Sequence, residues 1–157
     1  MYTKSRHEKV ASDQLNLQGI TNYLPVVRSK RRWSDRTKWV DMPLFKSYLF
    51  ARIPLKNHLY VLQTPGVHHV VRFHNEIAIV ADEQIQSLKL MLEGGYQPES
   101  TDYFVIGDAA EIVAGPLRGV RGIVSRIDGV DRFVLKIDAI QNAISIHVDR
   151  GYLKAIK

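Results

Sequence analysis

Residues 107–124, GDAAEIVAGPLRGVRGIV, run alternating apolar residues into a Gly115-Pro116 turn and supply two further glycines, Gly119 and Gly122, before the next strand. Glycine at such points permits the tight bends of a small barrel, so the stretch needs no ligand to explain it. From Phe104 onward the chain shows no helical period. Instead Phe133, Leu135 and Ile137, then Ile144, Ile146 and Val148, recur at every second position, the period of strands. Asp128-Gly129 and Gly151 add turn signals. Several short strands within about 50 residues predict a small β-barrel, near the lower size limit for an independent core.

Upstream the pattern differs. Ser5-Arg-His-Glu8 has the form of a capping box and predicts a helix start, with Val10, Ala11, Leu15 and Gln18 at helical spacing and Gly19 suited to end the helix. Residues 20–27 read as a strand, whose Pro25 requires an edge position or a bulge. Residues 44–53, LFKSYLFARI, form the best strand of the first half and stop at Pro54. Leu55, Leu59 and Leu62 predict a short helix, residues 67–73 another strand, and Asp82 caps a helix carrying Ile85, Leu88 and Leu92 that Gly94-Gly95 terminates. Helices interleaved with strands indicate an α+β domain with an antiparallel sheet at 1–95, a polar linker at 96–102, and an all-β domain at 103–157.

The 157 residues are 45% apolar and 24% charged, which is the composition of a folded globular protein. No apolar run approaches the length of a membrane helix, and the N-terminal MYTKSRHEKV carries charges where a signal peptide has its apolar core. A cytoplasmic protein without a membrane partner is expected. Zero cysteines remove disulfides, thiolate chemistry and zinc ribbons. None of the six histidines has HExxH spacing, and His68 and His69, adjacent in a strand, should point to opposite faces. The chain lacks a GxSxG elbow, a Walker loop and GxGxxG, so the reading is a non-enzyme with no cofactor and no metal.

Charge is unevenly divided. Residues 1–98 carry 14 Lys and Arg against 8 Asp and Glu, whereas residues 99–157 carry 8 of each. The excess concentrates in residues 28–39, RSKRRWSDRTKW, where Arg28, Lys30, Arg31, Arg32, Arg36 and Lys38 accompany Trp33, Trp39 and the single acid Asp35. Phosphates attract such cations, and unpaired bases stack on indoles. A solvated charged loop is the alternative, and Trp39 has the further option of covering its own sheet. Residues 43–50, PLFKSYLF, place Phe45, Ser47 and Leu49 on one face of a strand and Leu44, Lys46, Tyr48 and Phe50 on the other. A strand apolar on both faces is either sandwiched inside or leaves one face for a partner.

Together these residues resemble the NusG family of transcription factors, in which an N-terminal NusG domain is linked to an SH3-like KOW barrel. GDAAEIVAGPLRGVRGIV is similar to the KOW motif, with Gly122 at its characteristic glycine; YTKSRHEKVA and PLFKSYLF resemble the first helix and central strand of the NusG domain. The stretches YLP, RxWSDRxKW and PLFxSYLF are closest to the specialised paralogues, RfaH and the UpxY group of polysaccharide-operon antiterminators. The resemblance implies a monomer that binds the clamp helices of the largest RNA polymerase subunit through Tyr2, Phe45, Tyr48 and Phe50 and suppresses pausing and termination. It makes residues 28–39 a hairpin whose Arg28, Lys30, Arg31, Arg32, Trp33, Arg36 and Lys38 touch DNA near the transcription bubble. It also places Gly115, Pro116, Leu117 and Gly122 at a contact with a partner such as ribosomal protein NusE. The family's first strand is reduced here to residues 1–4, and Leu117 stands where housekeeping NusG has phenylalanine. The other reading is a ribosome-associated RNA-binding KOW protein, which would spread its cations over both halves.

Overall fold

Gly19 adopts φ +72° after helix α1 (Glu8–Leu17), and the N–H groups of Gly19 and Ile20 bond the carbonyls of Asn16 and Leu15 at 3.0 and 2.9 Å. This pair of bonds closes a helix through a left-handed residue, as the sequence predicts. The structure, a computed structural model, describes residues 1–32 and 36–156. The chain forms two units, Met1–Ile79 and Val80–Lys157.

In the first unit, β1 (Tyr2–Thr3) is short but formed. It pairs antiparallel with β6 (Val67–His69), while on its other side Tyr2 bridges Tyr48 and the Leu49 N–H bonds the Met1 carbonyl at 3.1 Å. β2 (Asn22–Tyr23) pairs with β5 (Phe50–Ala51), and β3 (Val26–Arg32) pairs with β4 (Thr37–Pro43). Pro25 separates β2 from β3 because it offers no N–H to a ladder, so the expected strand at 20–27 is two strands with different partners. A 3-10 turn at Leu55–Asn57 leads into α2 (His58–Leu62), and β7 (Arg72–Phe73) turns into β8 (Glu76–Ile77) through His74 and Asn75, both at positive φ. Two such residues make the hairpin turn that matches strand twist. Ala11 and Leu15 of α1, Val61 of α2, Leu49 and Val67 form the core, with Met1, Ile20, Leu24 and Ile53 packed against it.

Two expectations are corrected by one contact. Residues 44–53 are not a continuous strand: β4 ends at Pro43, residues 44–47 bend and turn with Ser47 at φ +62°, and regular pairing resumes only at Phe50. The capping box is not formed either, since α1 starts after His7 without a side-chain cap. The Glu8 carboxylate instead accepts the Ser47 N–H at 2.7 Å, and the Ser47 carbonyl accepts the Thr3 N–H at 2.8 Å. Backbone groups that a strand would pair with a neighbour are thus taken by the chain's first eight residues.

The second unit begins with α3 (Asp82–Glu93), which ends at Gly94 with Gly95 at φ +77°. Ala81 occupies the N-cap position, so Asp82 stands in the first turn beside Glu83, where a carboxylate favours the helix N-terminus without capping it. β9 (Glu99–Thr101), β10 (Asp108–Ile112), β11 (Arg121–Ile127), β12 (Val130–Ile137), β13 (Asn142–Ile146) and β14 (Leu153–Ala155) form one antiparallel sheet in the order β14-β10-β11-β12-β13-β9. Part of the stretch read as a linker is therefore the strand β9, hydrogen-bonded to β13. Among the described residues the order runs from β14 to β9 with no pair joining those two strands, so the ladders make a six-stranded sheet. Asp128 and Gly129, both at positive φ, turn β11 into β12.

β12 and β13 depart from simple alternation: Phe133, Val134 and Leu135 are all buried, as are residues 143–146. α3 reaches this sheet through Gln84, whose Nε2 donates to the Lys136 carbonyl at 3.0 Å, and its Leu88 and Met91 have no exposed surface. At Gly122 on β11 a Cβ would run into the Val134 carbonyl oxygen and lie 2.7 Å from the Phe133 ring. No other residue fits there.

Candidate functional site

Tyr2 and Tyr48, both half-buried, meet edge to face at 5.2 Å between ring centroids. Burial, followed by the neighbouring Tyr2, holds the Tyr48 hydroxyl above the usual tyrosine pKa. The other two expected surface aromatics are buried: Phe45 is 2% exposed and Phe50 8%, and their rings meet edge to face at 6.2 Å. The turn at 44–47 takes Phe45 out of register with residues 48–51, and past it Leu49 and Phe50 are both buried. Buried in this way, Phe45 and Phe50 are not part of the exposed surface.

Two histidines join the tyrosines. His69 stacks on Tyr2 at 4.9 Å, His68 lies 6.2 Å from the same ring, and the two imidazoles share a hydrogen bond between their Nδ1 atoms at 2.8 Å. Strict alternation would have separated them. The ladder instead slips, Tyr2 facing His69 and Thr3 facing Val67, so that His68 is the extra residue of a bulge and turns to the side of His69. Desolvation first, then His68 and the chain's amino group, hold His69 below the usual histidine pKa. Nothing local in the sequence marks this slip.

The basic segment forms the β3–β4 ribbon, paired from Val26↔Pro43 to Arg32↔Thr37. Its cations lie on the strands themselves and not only at the tip. Residues opposite one another share a face, so Val26, Arg28, Lys30, Arg32, Thr37, Trp39, Asp41 and Pro43 form one side and Val27, Ser29, Arg31, Lys38, Val40 and Met42 the other. Every residue of the first side is exposed except Pro43, which is half-buried. On the second, Val27, Ser29, Val40 and Met42 are half-buried, and Arg31 reaches along the ribbon to the Met42 sulfur at 3.3 Å. Trp39 is 53% exposed, with the Arg28 guanidinium 5.7 Å from its ring centroid. It does not fold back into a core. Arg36 is exposed beyond β3, and Trp33 lies outside the described residues.

In the second unit, Gly115 stands at φ +74° and the Tyr152 ring packs 3.3 Å from where its Cβ would be. Pro116 is exposed beside it. Leu117, expected at a partner contact, has no exposed surface and belongs to the core; Gly122 serves the close approach of β11 to β12. Val113 and, from the Arg150–Tyr152 turn packed beside this loop, Tyr152 are also exposed, at 38% and 42%, and sequence reasoning misses the pair because Tyr152 lies some 35 residues downstream. Among the described residues no group of three or more His, Cys, Asp or Glu is placed to hold a metal ion, and no helix is long and apolar enough to cross a membrane.

The family profile described as "Transcription termination factor nusG" matches residues 1–89. No curated protein sequence matches the chain. A solved structure described as "Domain interaction in Thermotoga maritima NusG" is similar at a TM-score of 0.55 and 19% identity, covering 99% of this chain and 94% of that one. At that identity the likeness speaks to the fold.

Proposed function

Since the chain belongs to the NusG family, whose members are transcription elongation and antitermination factors that bind RNA polymerase, we propose that it docks on the clamp helices of the largest subunit through Tyr2 and Tyr48. The observation that carries this reading is the edge-to-face Tyr2–Tyr48 pair, a half-buried aromatic pair in the unit that the family profile spans. Aromatic side chains on a rigid base are the usual anchors of protein interfaces. The β3–β4 ribbon contacts nucleic acid near the transcription bubble through its cations, and polymerase held in this way pauses and terminates less. The second unit's sheet is read as the KOW domain, meeting a protein partner such as ribosomal protein NusE through Val113, Gly115, Pro116 and Tyr152. The protein acts as a non-catalytic cytoplasmic monomer, akin to RfaH and the UpxY group, at a polysaccharide-type operon.

The ribosome-associated alternative gains nothing from the charge distribution, since residues 99–157 are neutral overall. The deciding experiment is retention of core RNA polymerase by the immobilised chain, with single-round transcription over a pause site. Retention that is lost in Tyr48→Ala, together with shortened pausing, is expected. A chain that fails to retain polymerase overturns the reading.

A further inference from the structure

Independently of the polymerase reading, we infer that His68 and His69 chelate one divalent transition-metal ion between their Nδ1 atoms, an ion of the class that takes imidazole in a tetragonal set, nickel(II) or copper(II). The two rings share one side of β6 only because the β1–β6 ladder slips, pairing Tyr2 with His69 and Thr3 with Val67 and leaving His68 as the extra residue. Neighbours on a regular strand point to opposite faces and cannot share an ion. Here the Nδ1 atoms are 2.8 Å apart, the ring centroids are 5.0 Å apart, and both residues are exposed. Tyr2 holds the arrangement from one side, stacked on His69 at 4.9 Å and edge-on to His68 at 6.2 Å. The same ring meets Tyr48, so a single aromatic ring separates the pair from Tyr48.

The separation of the two nitrogens selects the geometry. Nitrogen–metal bonds of about 2.0–2.1 Å that meet at a right angle place their nitrogens about 2.9 Å apart, whereas a tetrahedral angle spreads them to about 3.3–3.4 Å. The 2.8 Å separation fits the right-angled edge of a tetragonal set, the arrangement of nickel(II) and copper(II) with nitrogen and oxygen ligands. Water supplies the oxygen positions, so two protein nitrogens make an exchangeable site. In the metal-free pair one ring donates its Nδ1–H to the other. On binding, the donating ring passes to its Nε2–H tautomer, both Nδ1 lone pairs turn to the ion, and neither imidazole changes charge. A ligating imidazole must be neutral, and desolvation, then His68 and the chain's amino group, oppose a proton on His69. His7 and His58 differ from the pair, since their Nδ1 atoms lie 2.8 Å from the nearby carbonyls of Ser5 and Leu55.

The test titrates the full chain, free of any affinity tag, with nickel(II) chloride by calorimetry, with magnesium chloride as the oxygen-preferring control. One nickel ion per chain is expected, and magnesium should give no heat. His68→Gln and His69→Gln should each lower nickel affinity about tenfold or more, no less than the loss that follows removal of a ligand's outer-shell partner. The double variant should lose little further, because a chelate is broken with its first arm. His7→Gln and His58→Gln should leave the affinity unchanged. Two unconnected imidazoles would behave differently: either replacement would remove one of two weak sites and lower the affinity of neither. In the parent, paramagnetic broadening by nickel should reach the His68, His69 and Tyr2 resonances first, a readout that needs no variant to fold. Unchanged affinity in either single variant, or broadening spread alike over all six histidines, overturns the inference. Polymerase retention is measured without added metal, so neither result bears on that reading.

Discussion

Glu8 and Ser47, 39 residues apart, meet through one hydrogen bond: the Ser47 N–H donates to the Glu8 carboxylate at 2.7 Å. Glu8 is the first residue of α1 and is 7% exposed, while Ser47 holds φ +62° at the turn beneath the Tyr2–Tyr48 pair. A carboxylate at a helix N-terminus is thereby used to shape a distant turn that presents an aromatic surface.

Removing that acceptor leaves a partly buried N–H without its partner. Glu8→Ala is expected to lower stability by about 1–3 kcal/mol. Ser47→Gly keeps the N–H and relieves a left-handed conformation, so it should be neutral or stabilising by up to about 1 kcal/mol. Urea midpoints at constant slope measure both.

Tyr48 and Phe45 should separate binding from folding. Tyr48→Ala is expected to weaken polymerase binding by about 2 kcal/mol or more with little effect on the fold. Phe45, 2% exposed, belongs to the interior, and Phe45→Ala should cost about 3–5 kcal/mol of stability. Titration of polymerase against each variant, beside its unfolding curve, tells the two roles apart.

Gly122 has no room for a methyl group between the Val134 carbonyl and the Phe133 ring. Gly122→Ala should therefore destabilise the second unit by about 1–3 kcal/mol through overpacking. Gly129, with nothing near its Cβ position, is limited only by its φ of +79°, and Gly129→Asn should be tolerated. Thermal unfolding of the two variants gives the comparison.

His69 should titrate below the ordinary histidine value of about 6.5, because desolvation and the adjoining His68 oppose its protonation. Its folded pKa lies beneath the unfolded one, so the unfolded chain binds the proton first on acidification. The His69 contribution to stability is present above about pH 6.5 and is lost as pH falls from there toward the folded value. Imidazole proton resonances give the midpoint directly, and His68→Gln should move it upward.

A fragment beginning at Val80 keeps α3 and β9, whereas one beginning at residue 103 loses both. The shorter piece gives up the Gln84–Lys136 bond, the buried Leu88 and Met91, and the strand that covers the edge of β13. It should unfold at lower temperature and associate through the exposed edge, as sedimentation will show. The longer piece should fold cooperatively.

Features set within a few residues are legible in the amino-acid sequence itself. Gly19 and Gly94-Gly95 end their helices because a left-handed residue is a local requirement, Asp128-Gly129 turns a hairpin for the same reason, and the crowding of cations into residues 28–39 is written in the composition. The sequence alone also carries the change from helix-containing to strand-only patterning. What only the tertiary structure decided is where distant groups meet. The run LFKSYLFARI has the apolar and aromatic content of a strand, yet residues 1–8 take up backbone groups of its bent part, and Phe45 and Phe50 are both buried. The slip between β1 and β6 brings His68 and His69 together against the alternation of their own strand, and β9 is a strand because β13 pairs with it. Leu117 sits in a loop by its flanking glycines and in the core by its packing. Turn and cap chemistry acts over one or two peptide units, whereas pairing, register and burial depend on partners from elsewhere in the chain, and local propensity does not name them.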